Sequence, residues 1–183
     1  MATNTTTTRA KKAQTEKTPA QTQEAAKTTT EKPIVPKEIN PNQYVTVRNG
    51  FQGTLVYESP RTNEVFLWEG FGTEQEMELR ELKNAKNAKK KFFINNWFMF
   101  DEDWIVDYLG VGQYYKHAIS IDDFDKIFTM SPSEIKKVIA EMSAGQRKSV
   151  MYRAATLIKD GEIDSRKVIT ALEDALGVEL VEK

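Results

Sequence analysis

The chain has 183 residues, 29% of them charged, a net charge of -1 and no cysteine. The length allows a domain of ordinary size beside a tail. The missing cysteines exclude disulfides, thiolate metal sites and cysteine nucleophiles, and the near-neutral balance argues against nucleic acid as the main partner, because a dedicated phosphate binder is strongly basic.

Residues 1–40 read as a disordered Thr/Lys-rich tail. The first aromatic residue is Tyr44 and the first glycine is Gly50, and the tract before them offers almost nothing to bury against the entropy of ordering its backbone. Residues 1–39 carry seven basic and four acidic groups, whereas the other 144 carry 19 and 23, so a mildly basic arm precedes a mildly acidic body. Pro33, Pro36 and Pro41 bracket the apolar pair Ile34-Val35, a spacing that favours extended backbone at the passage into the fold. No apolar core of a secretory signal and no stretch approaching a membrane span is visible, so a soluble protein without a membrane partner is expected.

Residues 41–100 read as a small β-rich unit. Tyr44 to Val47, Thr54 to Tyr57 and Glu64 to Trp68 are β-branched and aromatic runs separated by turn residues, and Glu76-Met77-Glu78-Leu79 alternates like a fourth strand. A short helix is expected over Arg80 to Asn87, where the period changes. Trp97 to Phe100 is apolar enough for a buried fifth strand closing a barrel. The expected fold class is therefore α+β: a small SH3-like β-barrel or meander with a helical insertion, followed by a helical subdomain.

That subdomain is expected over residues 101–183. Trp104, Ile105, Tyr108 and Leu109 share a helical face that Gly110 terminates. Ser131-Pro132-Ser133-Glu134 has the form of a capping box with proline at the first helical position. A second helix starts from Ser143, with Gln146 as its third-position partner, and a third starts at Asp164 or Ser165 and stops at Gly177.

Little in the chain points to catalysis. His117 is the sole histidine, so one chain assembles neither a triad built on paired histidines nor a two-histidine metal site. Asp101, Glu102 and Asp103, and Asp122, Asp123 and Asp125, lack the spacing of a calcium loop and suit helix N-termini instead. No glycine cluster completes a phosphate-binding loop. No enzyme, cofactor or metal is expected.

All 18 aromatic residues lie between Tyr44 and Tyr152, so that segment organises whatever the protein grips. Tyr114, Tyr115, Trp97 and Phe98 are the candidate partner-binding residues: the aromatic stretch exceeds what a small barrel buries, and tyrosine hydroxyls tolerate a wet rim. Lys83, Lys86, Lys89, Lys90 and Lys91 lead into aromatics, which makes them the candidate nucleic-acid contacts of an alternative reading, through phosphate contacts and stacking.

The Thr/Lys-rich tail, the segment NQYVTVRNGFQGTLVYESPRTNEVFLWEGFGTEQEMELRELKNAKN, the run FFINNWFMF and the ending GEIDSRKVITALEDALGVELVEK together resemble small virion-associated structural proteins of tailed bacteriophages. The resemblance covers about residues 42–183 and carries no catalytic motif. It implies a multi-copy assembly with other virion proteins in head, neck, tail or baseplate, and residence in the virion after assembly in the host cytoplasm. The tail would then act as a flexible arm, ordering on a neighbour.

Overall fold

The computed structural model describes residues 39–181, and the expected disordered tail lies almost wholly outside the described residues. Strand β1 (Tyr44–Asn49) runs antiparallel between β4 (Glu74–Glu78) and β5 (Phe98–Met99), while β2 (Leu55–Glu58) and β3 (Val65–Trp68) form a separate hairpin. Val45 and Val47 of β1, and Met77 of β4 opposite Val45, turn inward. On the hairpin the inward residues are Leu55, Tyr57, Phe66 and Trp68. The Trp68 indole N–H donates to the Val47 carbonyl at 2.8 Å, which ties the hairpin to the three-stranded sheet across the core.

The fold is α+β, as the sequence predicts, but no closed barrel forms among the described residues. The expected closing strand shrinks to Phe98 and Met99, because Lys91–Ile94 takes a helical turn (α2) and Asn96 adopts φ 53°. No strand ladder joins the two sheets. Side chains close the gap: the buried Phe98 ring packs against Phe92 at 4.8 Å, Trp68 at 5.4 Å, Phe93 at 5.5 Å and Tyr57 at 5.6 Å.

Helix α1 (Leu79–Ala88) follows β4 without a loop and matches the expected helix, one residue longer at each end. The Pro41 and Gln43 carbonyls accept from its first amides, and Leu79, Leu82 and Ala85 face the core. Helix α3 (Asp103–Leu109) ends at Gly110 in the left-handed conformation, as its sequence requires, and α4 (Gly112–Tyr115) follows. Both pack on the first core, which draws its residues from Ile39 to Tyr115. Apart from Phe71, the two hydrophobic clusters divide between Tyr115 and Ile119. Ile105 and Leu109 are needed to cover the aromatic cluster that so short a β5 leaves open.

The second core holds a 3-10 helix (Phe124–Thr129), α5 (Pro132–Glu141), α6 (Ala144–Lys159) and α7 (Arg166–Leu176), with Phe71 reaching into it from the β3–β4 loop. The capping box at Ser131 and Glu134 is complete in both directions. Ser143 also caps its helix, accepting from the Gln146 amide at 3.1 Å. The Gln146 side chain does not return to the cap, however. It holds both backbone groups of Ile119, donating to the carbonyl at 2.9 Å and accepting from the amide at 3.2 Å. Ser149 links the cores by donating to the Gly50 carbonyl at 2.9 Å.

Candidate functional site

The aromatic surplus read from the sequence comes to the surface as a row. Phe92 is buried and meets Trp97 edge-on at 5.5 Å, Trp97 meets Phe51 at 6.1 Å, and Phe51 meets the exposed Tyr152 at 6.4 Å, all in the edge-to-face geometry that ring quadrupoles favour. Local backbone structure sets this row. After the left-handed turn at Asn96, Trp97 lies half-buried at the edge of the first core, its amide donating to the Phe92 carbonyl at 2.9 Å and its carbonyl accepting from the Gly50 amide at 2.8 Å, while its indole nitrogen is buried without a hydrogen-bond partner among the described residues. Lys91 places its ammonium 5.8 Å from the Trp97 ring centroid. At the far end, Met151, Tyr152 and Ala155 of α6 and Val178, Leu180 and Val181 beyond α7 line a groove of about 490 Å³.

Of the four expected docking residues, the structure brings only Trp97 into this row. Phe98 is fully buried at the centre of the first core, so it meets no partner while the protein is folded. Tyr115 is half-buried and spends its hydroxyl on the Phe98 carbonyl at 2.6 Å, and burial raises its pKa above the ordinary tyrosine value. Tyr114 is half-buried against the same core, and its carbonyl accepts from the Asn96 side chain at 2.9 Å. Phe51 and Tyr152 escape a reading by sequence because they lie 101 positions apart, in a turn and on a helix of weak amphipathicity.

A second apolar surface lies on the outer face of the hairpin. Val56 and Leu67 are directly opposed across the ladder and Val65 sits diagonally beside them, exposed by 51%, 46% and 60%. The sequence carries a signal for it. Leu55-Val56-Tyr57 and Val65-Phe66-Leu67-Trp68 are continuous apolar runs, and a two-stranded ribbon with one face on the core must leave alternate residues outside.

The lysine run is divided between two roles. Lys83 lies 4.2 Å from the Tyr108 ring centroid, Lys86 donates to the Leu109 carbonyl at the end of α3 at 2.6 Å, and Lys91 lies beside Trp97. Lys89 and Lys90 are exposed between α1 and α2.

One cleft, of about 640 Å³, is lined by charged side chains. Arg48 reaches Asp101 at 3.1 Å, Asp122 at 3.2 Å and Glu74 at 3.6 Å, and Arg153 holds Asp125 through two bonds of 3.1 and 2.6 Å. Burial opposes the Arg48 charge, but Asp101 and Asp122 outweigh it and its pKa stays raised. Both guanidinium groups are thus paired with carboxylates: Arg48 of β1 reaches across to Asp122 beside the second core, whereas Arg153 and Asp125 brace two elements within that core. His117 pairs with Glu141 at 3.2 Å on the surface. Among the described residues no group of three or more acidic or histidine side chains is placed to hold a metal ion.

Compared with protein-family models, curated proteins and solved structures, the chain finds no match.

Proposed function

We propose that this protein is a non-enzymatic structural or assembly component that works by protein–protein docking, in the virion of a tailed bacteriophage. The observation that carries the docking reading is the row Trp97–Phe51–Tyr152 running into the apolar groove of α6. Aromatic side chains beside an apolar groove are the usual anchors of protein interfaces. The place in a particle rests on the sequence resemblance, and a multi-copy partner set and residence in the virion follow from it.

The alternative, a nucleic-acid-binding or regulatory phage protein using Lys83, Lys86, Lys89, Lys90 and Lys91, draws less support. Three of these lysines have intramolecular contacts that a phosphate backbone would have to displace.

Mass spectrometry of purified particles tests the reading: many copies per particle are expected, and absence from particles would overturn it. A salt series separates the alternative. Docking through apolar groups holds as salt rises, whereas phosphate binding weakens steeply.

A further inference from the structure

The hairpin's outer face has a charge pattern as well as an apolar one. Strand alternation puts Thr54, Val56 and Glu58 on the same face as Val65, Leu67 and Glu69, with Glu58 opposite Val65 and Thr54 bonding the Glu69 carbonyl at 3.4 Å. The apolar trio is therefore flanked at opposite corners by Glu58 and Glu69, both exposed and neither engaged in an ion pair among the described residues. Glu69 lies four residues along from Val65, or about 13 Å, and one strand across, about 4.8 Å, which sets the two acidic corners about 14 Å apart.

One segment outside the described residues carries the complementary pattern. Ahead of Ile39, the only large apolar side chains are Met1, Ile34 and Val35, and Lys32 and Lys37 flank the latter pair as Lys-Pro-Ile-Val-Pro-Lys. Pro33 and Pro36 favour extended backbone, in which five residues span about 16 Å, close to the corner-to-corner distance. Glu31 and Glu38 fall one residue further out, beyond the acidic corners. Prolines lack the amide needed to add a strand at a sheet edge, but they suit a segment lying across a sheet face.

We infer that the hairpin face of Val56, Val65 and Leu67 receives the 32–37 segment of a neighbouring copy, Ile34 and Val35 on the apolar trio and Lys32 and Lys37 toward Glu58 and Glu69. A neighbour supplies it because the chain's own reach is short. Only four residues, about 13 Å, separate Val35 from Ile39, whose side chain packs against the first core. This inference rests on the assembly reading and makes one arm of it explicit: copies linked in series by arms docked on hairpins.

The absence of cysteine makes the test direct. Full-length Val35→Cys and full-length Leu67→Cys proteins are mixed and mildly oxidised, and the disulfide-linked peptides are identified by mass spectrometry. A link between positions 35 and 67 is expected to dominate over that formed with Ile94→Cys, an equally exposed apolar site elsewhere. Replacing Glu58 and Glu69 by lysine should lower the yield about fivefold or more, and reversing Lys32 and Lys37 to glutamate in the partner protein should restore it. Equal yields with Ile94→Cys, or no response to the charge reversals, would overturn the proposal. So would a purely intramolecular link in the double Val35→Cys/Leu67→Cys protein. Particle mass spectrometry reports separately on the assembly reading, so a protein found in particles without the 35–67 link defeats this inference alone.

Discussion

Gly145, the second residue of α6, lies so close to Asn95 that a β-carbon built on it would stand 2.1 Å from the Asn95 carbonyl oxygen and 2.5 Å from the Asn95 β-carbon. Gly50 makes the same approach to the Asn96 carbonyl, also at 2.1 Å. The Asn95–Asn96 turn that aims Trp97 is thus gripped between the end of β1 and the start of α6. Replacing a helical glycine by alanine ordinarily stabilises a protein by about 0.5–1 kcal/mol. Here backbone must move, so Gly145→Ala is expected to destabilise by about 1–3 kcal/mol, read as a lower urea midpoint. A raised midpoint would refute the close approach.

Phe98→Ala and Tyr152→Ala should part company. The first empties the centre of an aromatic core and is expected to cost about 3–5 kcal/mol of stability. The second removes a half-exposed ring and should cost about 1 kcal/mol or less while abolishing incorporation into the particle. Normal incorporation of a folded Tyr152→Ala protein would place the docking surface elsewhere.

Tyr57 donates its hydroxyl to the buried Glu81 carboxylate at 2.7 Å. Burial pushes the Glu81 pKa up, but hydrogen bonds from Tyr57, Ser59 and Asn84 together with the Arg61 charge win, and the pKa falls below the ordinary glutamate value. A depressed carboxyl stabilises the fold above its unfolded pKa of about 4.3 and loses that contribution as pH falls through the folded value. Tyr57→Phe is therefore expected to cost about 1.5–3 kcal/mol at neutral pH. The gap from the unaltered protein should narrow below about pH 4, and denaturation midpoints that stay parallel down to about pH 2 would contradict the linkage.

Ser131→Ala removes the acceptor for the Glu134 amide and half of the capping box. A loss of about 0.5–2 kcal/mol is expected in thermal or urea unfolding. An unchanged midpoint would mean that the proline at the first helical position is sufficient to start α5.

Local chemistry makes much of the chain legible in its sequence. The strand alternations, the glycine stops at Gly110 and Gly177 and the cap at Ser131 depend on residues within a few positions of one another, and each appears where the sequence puts it. The length of β5, the division of the cores after Tyr115 and the course of the aromatic row depend on contacts between distant segments. Phe98 and Trp97 are neighbours of similar type, yet Phe98 is fully buried and Trp97 only half-buried at the edge of the same core, just after the left-handed turn at Asn96 that Gly50 and Gly145 crowd. Spacing shows which side chains want burial. Only the tertiary structure decides which of them find room, because a core of fixed volume accepts some apolar side chains and leaves the rest outside.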